Sequence, residues 1–278
     1  MSEQPTGPQP SPAPSTRRRL RHRKNVTGLL PRQAAAVRTG FAAVSSIRDE
    51  RGFAYHAGIH GLPLPVSCFH GSRLFLPWHR AYLYLFELAL QDQVPAASLP
   101  WWDWSSAQSH TLGIPALYRR ETLADGSANP LHHQPIPAGI AGGQEQPTRT
   151  SRDPQDPSQL PTRADVQDVL AAGDFRDFNN RLENLHNWVH VWVGGTMGDI
   201  AYAAYDPLFW AHHAMVDRIW RLWQLAHTGI GSIDRDLLDA ALPPFPMTVR
   251  MTLDVASLGY EYAVSTASAT VATSEEPS

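Results

Sequence analysis

The sequence predicts a mainly α-helical single domain with long loops and minor β structure. Three observations carry this prediction. Apolar residues recur at helical spacing around residues 31–47, 77–91, 178–193 and 206–226; only one short stretch near the end reads as strand; and no internal repeat divides the chain. At 278 residues, 42% of them hydrophobic, the chain can bury a substantial core as one large domain.

Taken in order, residues 1–22 are expected to form a disordered tail. Its first twenty residues are rich in Pro, Ser, Gln and Thr and lack an apolar period, so ordering them would cost more entropy than burial returns. Arg17, Arg18 and Arg19 are followed by further charge between Arg21 and Lys24 rather than by the apolar stretch of an export signal, which makes the cytoplasm the default expectation. Export alongside a signal-bearing partner fits the same sequence.

From Pro31 to Ile47, Ala35, Val37, Phe41, Ala42 and Val44 predict a first amphipathic helix. The next, from Pro77 to Gln91, has few polar positions besides Arg80, Glu87 and Gln91 and should be buried over most of its circumference. Residues 105–160, dense in Pro, Gly, Ser and Asn, read as a long irregular insertion with about one turn of helix. Leu160-Pro161-Thr162-Arg163 leads into a helix from Asp165 to Ala171, and core helices follow over Phe178–Val193 and Asp206–Ala226, where Pro207 suits a first turn. Met251 to Val264 holds a β-like run ending in Tyr260-Glu261-Tyr262, and residues 265–278 are a second polar tail.

Composition removes several function classes. A net charge of −3 offers no basic face for nucleic acid, and no segment approaches the roughly 20 apolar residues of a membrane helix. Cys68 is the single cysteine, so no intrachain disulfide is possible.

The histidines are clustered. His186 and His190, four apart in a predicted helix, project from one face and could share a metal, although such a pair also occurs on ordinary helices. His212 and His213 lie in so apolar a run that at least one ring must be buried and needs a partner, either a metal or a backbone carbonyl. His60, His70 and His79 form a third group, with His56 competing for the place of His60. Six histidines, with neither an HExxH motif nor four-cysteine spacing, point to an all-imidazole binuclear site; zinc and nickel also accept imidazole, but copper leads.

His70-x8-His79 within Phe75-Leu76-Pro77-Trp78-His79-Arg80, Leu185-His186-Asn187-x-x-His190, and the run from Asp206-Pro207-Leu208-Phe209 through His212-His213 to Asp217 resemble the type 3 copper family. That family comprises tyrosinases, catechol oxidases, o-aminophenol oxidases and molluscan haemocyanins. Leu99-Pro100-Trp101-Trp102-Asp103-Trp104, Leu160-Pro161-Thr162-Arg163, Val193-Gly194-Gly195-Thr196-Met197 and Tyr260-x-Tyr262 extend the resemblance over residues 23–264.

The resemblance implies a four-helix core holding two copper ions, with O2 as co-substrate. His60, His70 and His79 would bind the first ion and His186, His190 and His213 the second, with His212 as a neighbour. His60 is preferred to His56 because His60-Gly61-Leu62-Pro63 is similar to the stretch around the first ligand in the haemocyanin-like branch. Cys68-Phe69-His70 resembles the Cys-x-His in which sulfur and ring are joined by a thioether. Glu183 and Asn187 resemble the pair that holds an activating water in monophenol-hydroxylating members; otherwise Glu183 would sit on a solvated face near Arg181. Phe209 would pack on the ligand rings, Asp217 would orient a ligand or pair with Arg218 or Arg221, and Val191 would shape access.

The implied activity is ortho-hydroxylation of monophenols and oxidation of o-diphenols to o-quinones. Alternatives are an oxidase restricted to o-diphenols or o-aminophenols, and a haemocyanin-like O2 carrier. A copper-delivering chaperone is a possible partner beside the small phenols. With no shielding domain in the sequence after Tyr262, an autoinhibited proenzyme is not expected.

Overall fold

A computed structural model of the chain describes residues 20–63, 68–227 and 233–263. Most of both expected tails lies outside these residues. The N-terminal boundary shifts, however: Arg21 and His22, assigned to the tail, belong to strand β1 (Arg21–Arg23), which pairs in parallel with β2 (Tyr260–Tyr262), Arg21 opposite Tyr260 and Arg23 opposite Tyr262.

The long helices fall where their periodicity places them. α1 (Pro31–Ser46) starts at a proline, whose missing N–H costs nothing in a first turn, and buries Val37, Phe41 and Val44. α3 (Phe75–Gln93) is buried on nearly every side. α6 (Arg163–Leu170) opens with a reciprocal capping box between Thr162 and Asp165. α7 (Phe175–Val193) is capped by Asp174, and α8 (Pro207–Ala226) by Asp206, which accepts from the Leu208 N–H.

Three features depart from expectation. α2 (Phe53–His60) is a helix with no amphipathic stripe to announce it, because most of its residues are buried irrespective of face. Its end is fixed by close backbone approach: the Leu62 N–H donates to the Ala201 carbonyl, and a Cβ on Gly61 would lie 2.3 Å from that oxygen. The insertion holds two short helices, α4 (Ala107–Leu112) and α5 (Ala116–Arg119), and is anchored by Arg152, whose guanidinium pairs with Asp206 and donates to the Tyr118 and Leu131 carbonyls. Near the end of the chain, α9 (Val249–Thr252) replaces the first part of the β-like run, leaving only three residues as strand.

A buried ionic cluster joins β1, β2, α3 and α8. Asp217 accepts from Arg23, Arg80 and the hydroxyls of Tyr260 and Tyr262, while Arg23 also pairs with Glu87 at 2.9 Å and lies over the Tyr260 ring. This corrects the expected pairing of Asp217. Arg218 instead lies over Trp101, and Arg221 pairs with Glu261 nearer the surface. A carboxylate only 3% exposed needs full satisfaction, and donors converging from three other elements supply it better than a neighbour on its own helix. Trp78, Trp102, Trp104 and Trp210 are core residues as expected. Among the described residues no helix is long and apolar enough to cross a membrane.

Candidate metal centre

Helices α2, α3, α7 and α8 and the loop before α3 bring six histidines together. His60 ends α2, His79 lies in the first turns of α3, His186 and His190 sit one turn apart on α7, and His213 projects from α8. The His70 ring lies 5.6 Å from His60, 5.3 Å from His79 and 5.5 Å from His186, between centroids. The rings form one continuous cluster, with His79 stacked on His213 at 4.6 Å. His56 is not part of it. Its ring packs edge-on against Phe86, and its backbone carbonyl receives the Tyr82 hydroxyl.

The hydrogen bonds fix which nitrogen of several rings carries a proton. His79 Nδ1 contacts the Phe75 carbonyl at 2.8 Å and His190 Nδ1 the Met197 carbonyl at 2.7 Å. Carbonyls only accept, so both rings hold a proton on Nδ1 and a bare lone pair on Nε2. His186 Nδ1 likewise faces Asn187 Oδ1 at 3.0 Å. The bare Nε2 atoms of His186 and His190 then point at His213 Nε2 from 3.1 and 3.2 Å. The one proton available to His213 Nε2 cannot serve both lone pairs well, and a cation at the convergence would serve all three.

On the other side, His60, His70 and His79 each bury an Nε2 with no hydrogen-bond partner, an arrangement a protein interior rarely leaves uncompensated. Burial pushes all six rings toward the neutral form a metal requires, to about 4 for His70 and His190 and well below the ordinary value for the others. Neutral imidazoles with converging lone pairs fit a pair of copper ions.

Family comparison agrees with this geometry. Residues 50–226 match the model of the common central domain of tyrosinase. The chain belongs to the tyrosinase family. Its tyrosinase-family relatives include hemocyanin units G and H of Sepia officinalis, 33% identical over 73% of this chain and 37% of that protein, and a tyrosinase of Streptomyces antibioticus, 38% identical over 57% of this chain and 65% of that enzyme. The chain thus spans less than two thirds of either relative's length. A functional unit of octopus hemocyanin superposes with a TM-score of 0.76 at 29% identity, covering 87% of this chain and 68% of that one. A tyrosinase from Burkholderia thailandensis shares the fold, also at 0.76, with 23% identity over 89% of this chain and 74% of that one. As a tyrosinase-family member the protein carries a binuclear copper site.

The remaining expected residues surround the cluster. Phe209 packs on His213 at 4.0 Å and edge-on against His60 at 4.8 Å. His212 is fully buried, stacked on His186, and its ligand nitrogens come within 4.8 Å of those of His186, His190 and His213. The Cys68 sulfur lies within 4.8 Å of ligand atoms of His60 and His70, and burial pushes its thiol up to about 11. Glu183 is buried rather than facing solvent with Arg181, which pairs with Asp168 and Asp177. Its carboxylate accepts from the Gly71 N–H at 2.6 Å.

A cavity of about 190 Å³ opens onto His60, His70, His186 and His190, with Asn187, Val191, Met197 and Ile200 also in its wall. Val191 is 61% exposed at the mouth. One buried residue on the face of α7 that carries the ligands escaped the sequence reading: Asn179. Its spacing to Glu183, His186 and His190 is that of one helical stripe, and this signal could have found it.

Proposed function

We propose that this protein is a phenol oxidase that hydroxylates monophenols at the ortho position and oxidises o-diphenols to o-quinones with O2. The observation that carries the reading is the cavity of about 190 Å³, which four of the six histidines line. In this proposal His60, His70 and His79 hold one copper ion and His186, His190 and His213 the other. When bound, the two ions supply the electrons that reduce O2 and receive those of the phenol.

The chain's own part is to orient the ring and move its proton. Phe209, packed against His60 and His213, fixes the orientation of both rings from behind the cavity wall. Asn187 uses its oxygen on His186, leaving its amide to donate toward the cavity, while Glu183 has one carboxylate oxygen beyond that engaged by Gly71. Burial raises the Glu183 carboxyl above its ordinary value, against the lowering effect of the Gly71 N–H, and so strengthens it as a base for a phenolic proton.

Oxygen uptake by the copper-loaded protein tests the reading. Uptake is expected with a monophenol, an o-diphenol and an o-aminophenol, and Glu183→Gln should reduce the monophenol rate by about 100-fold or more, within the range of general-base catalysis, while o-diphenol turnover is much less affected. Uptake with the last two substrates alone would instead establish a restricted oxidase. The likeness to hemocyanins supports a second reading, reversible O2 carriage, which predicts oxygen binding without turnover of any phenol. The thioether between Cys68 and His70 belongs to the same proposal: its C–S bond replaces the thiol S–H and a ring C–H, with O2 taking up the two electrons, so the intact mass should be lower by two hydrogens, and an unchanged mass would remove it.

A further inference from the structure

His70 is the only one of the six clustered histidines not carried by a helix. It sits in the stretch Cys68–Leu74 that leads into α3, so no helix fixes its backbone. Gly71, next in sequence, has a φ of +61°, in the left-handed region that favours glycine, and a Cβ there would meet nothing within 4 Å. The glycine therefore answers a conformational need rather than a lack of space.

Two buried side chains of α7 grip this stretch. Glu183 accepts from the Gly71 N–H at 2.6 Å. One turn earlier, Asn179, fully buried, donates through Nδ2 to the Ser72 carbonyl at 3.0 Å and accepts from the Leu76 N–H at 3.4 Å. Asn179 and Glu183 lie on the same helical stripe as His186 and His190, so one face of α7 carries both the grip and two of the clustered rings.

We infer that Asn179 and Glu183 form a two-point clamp that positions His70, so that α7, which bears two ligands of one copper site, also sets the loop ligand of the other. The inference rests on His70 being a copper ligand. The clamp asks only that Glu183 accept a hydrogen bond, which a glutamine does equally; proton abstraction asks for its negative charge. The two roles of one carboxylate are therefore separable by substitution. Asn179 acts purely as a positioning residue, since it hydrogen-bonds the backbone of Ser72 in the loop and of Leu76 in the first turn of α3, and none of the six rings is among its hydrogen-bond partners.

Copper retention after dialysis and amide exchange over residues 68–76 of the copper-free protein test this in wild type, Glu183→Gln, Glu183→Leu and Asn179→Leu. Both leucine variants are expected to hold one of the two coppers about 10- to 100-fold less tightly, as loss of a group that orients a ligand does, and to exchange faster at Gly71. Glu183→Gln should match wild type in both measurements, whatever its rate with monophenols. Wild-type retention in Glu183→Leu, or losses in Glu183→Gln as large as in Glu183→Leu, would overturn the clamp. If the leucine variants do not fold, the wild type decides: its Gly71 amide, outside any helix, must be protected, and free exchange there overturns the inference. Because exchange is read without copper, a protected Gly71 combined with full copper binding by His70→Ala would leave the clamp standing and remove the ligand assignment instead.

Discussion

Replacing His213 with alanine is expected to abolish copper-dependent oxygen uptake with every phenol. Its Nε2 stands 3.1 Å from that of His186 and 3.2 Å from that of His190, and its ligand nitrogens also lie within 4.8 Å of those of His60 and His79. No other ring joins both halves of the cluster in this way. Groups that only orient a ligand are worth about 10- to 100-fold in affinity or activity, so loss of a ligand at this junction should exceed that range. Metal analysis and oxygen uptake on the purified variant read the effect, and two retained coppers with wild-type uptake would remove His213 from the centre. The informative control is His212→Ala. His212 stacks on His186 with its rings nearly parallel, and its nitrogens lack the 3 Å convergence, so this variant should keep both coppers and lose less activity.

Asp217→Ala should destabilise the fold by about 3–5 kcal/mol, the cost of leaving buried charge uncompensated. Arg23 and Arg80 are both fully buried, and both lose a carboxylate. Arg23 keeps Glu87, and Arg80 keeps Gln224 and the Thr252 carbonyl, so the fold is weakened rather than stripped of every partner. Chemical denaturation measures the difference; a change below 1 kcal/mol, on the scale of an exposed pair, would mean that the cluster is solvated after all.

The same carboxylate sets a pH dependence. Burial alone would raise the Asp217 carboxyl, but Arg80 and Arg23 outweigh it and hold the group below its ordinary value of 3.8. A folded-state value below the unfolded one means that the contribution is complete above the ordinary carboxylate range and is lost as pH falls beneath it. Asp217→Asn should therefore show a shallower loss of stability in acid than wild type, from a lower starting point.

Much of this was legible in the chain itself. The helical period of α1 and α7 survives in the structure because a one-sided apolar stripe has few ways to be buried other than as a helix against other helices, whereas α3 and α8, buried nearly all round, were marked by the length of their apolar runs. His186 and His190 could be placed on one face from their spacing alone. Other features had no local signal. α2 is buried on most sides and so shows no alternation, and the strand Arg21–Arg23 looks like a charged tail until Tyr260–Tyr262, over 230 residues away, pairs with it.

The sequence by itself determined the long helices, the inventory of metal-binding side chains and, through their spacing and resemblance, the family. Only the tertiary structure decided which of His56 and His60 joins the cluster, which donors satisfy Asp217, and that Glu183 and Asn179 reach across to the loop of His70. The division has a physical cause. Periodicity records what a residue does relative to its neighbours along one helix, whereas a hydrogen bond between Glu183 and Gly71 joins residues 112 positions apart and exists only once packing has brought α7 against that loop.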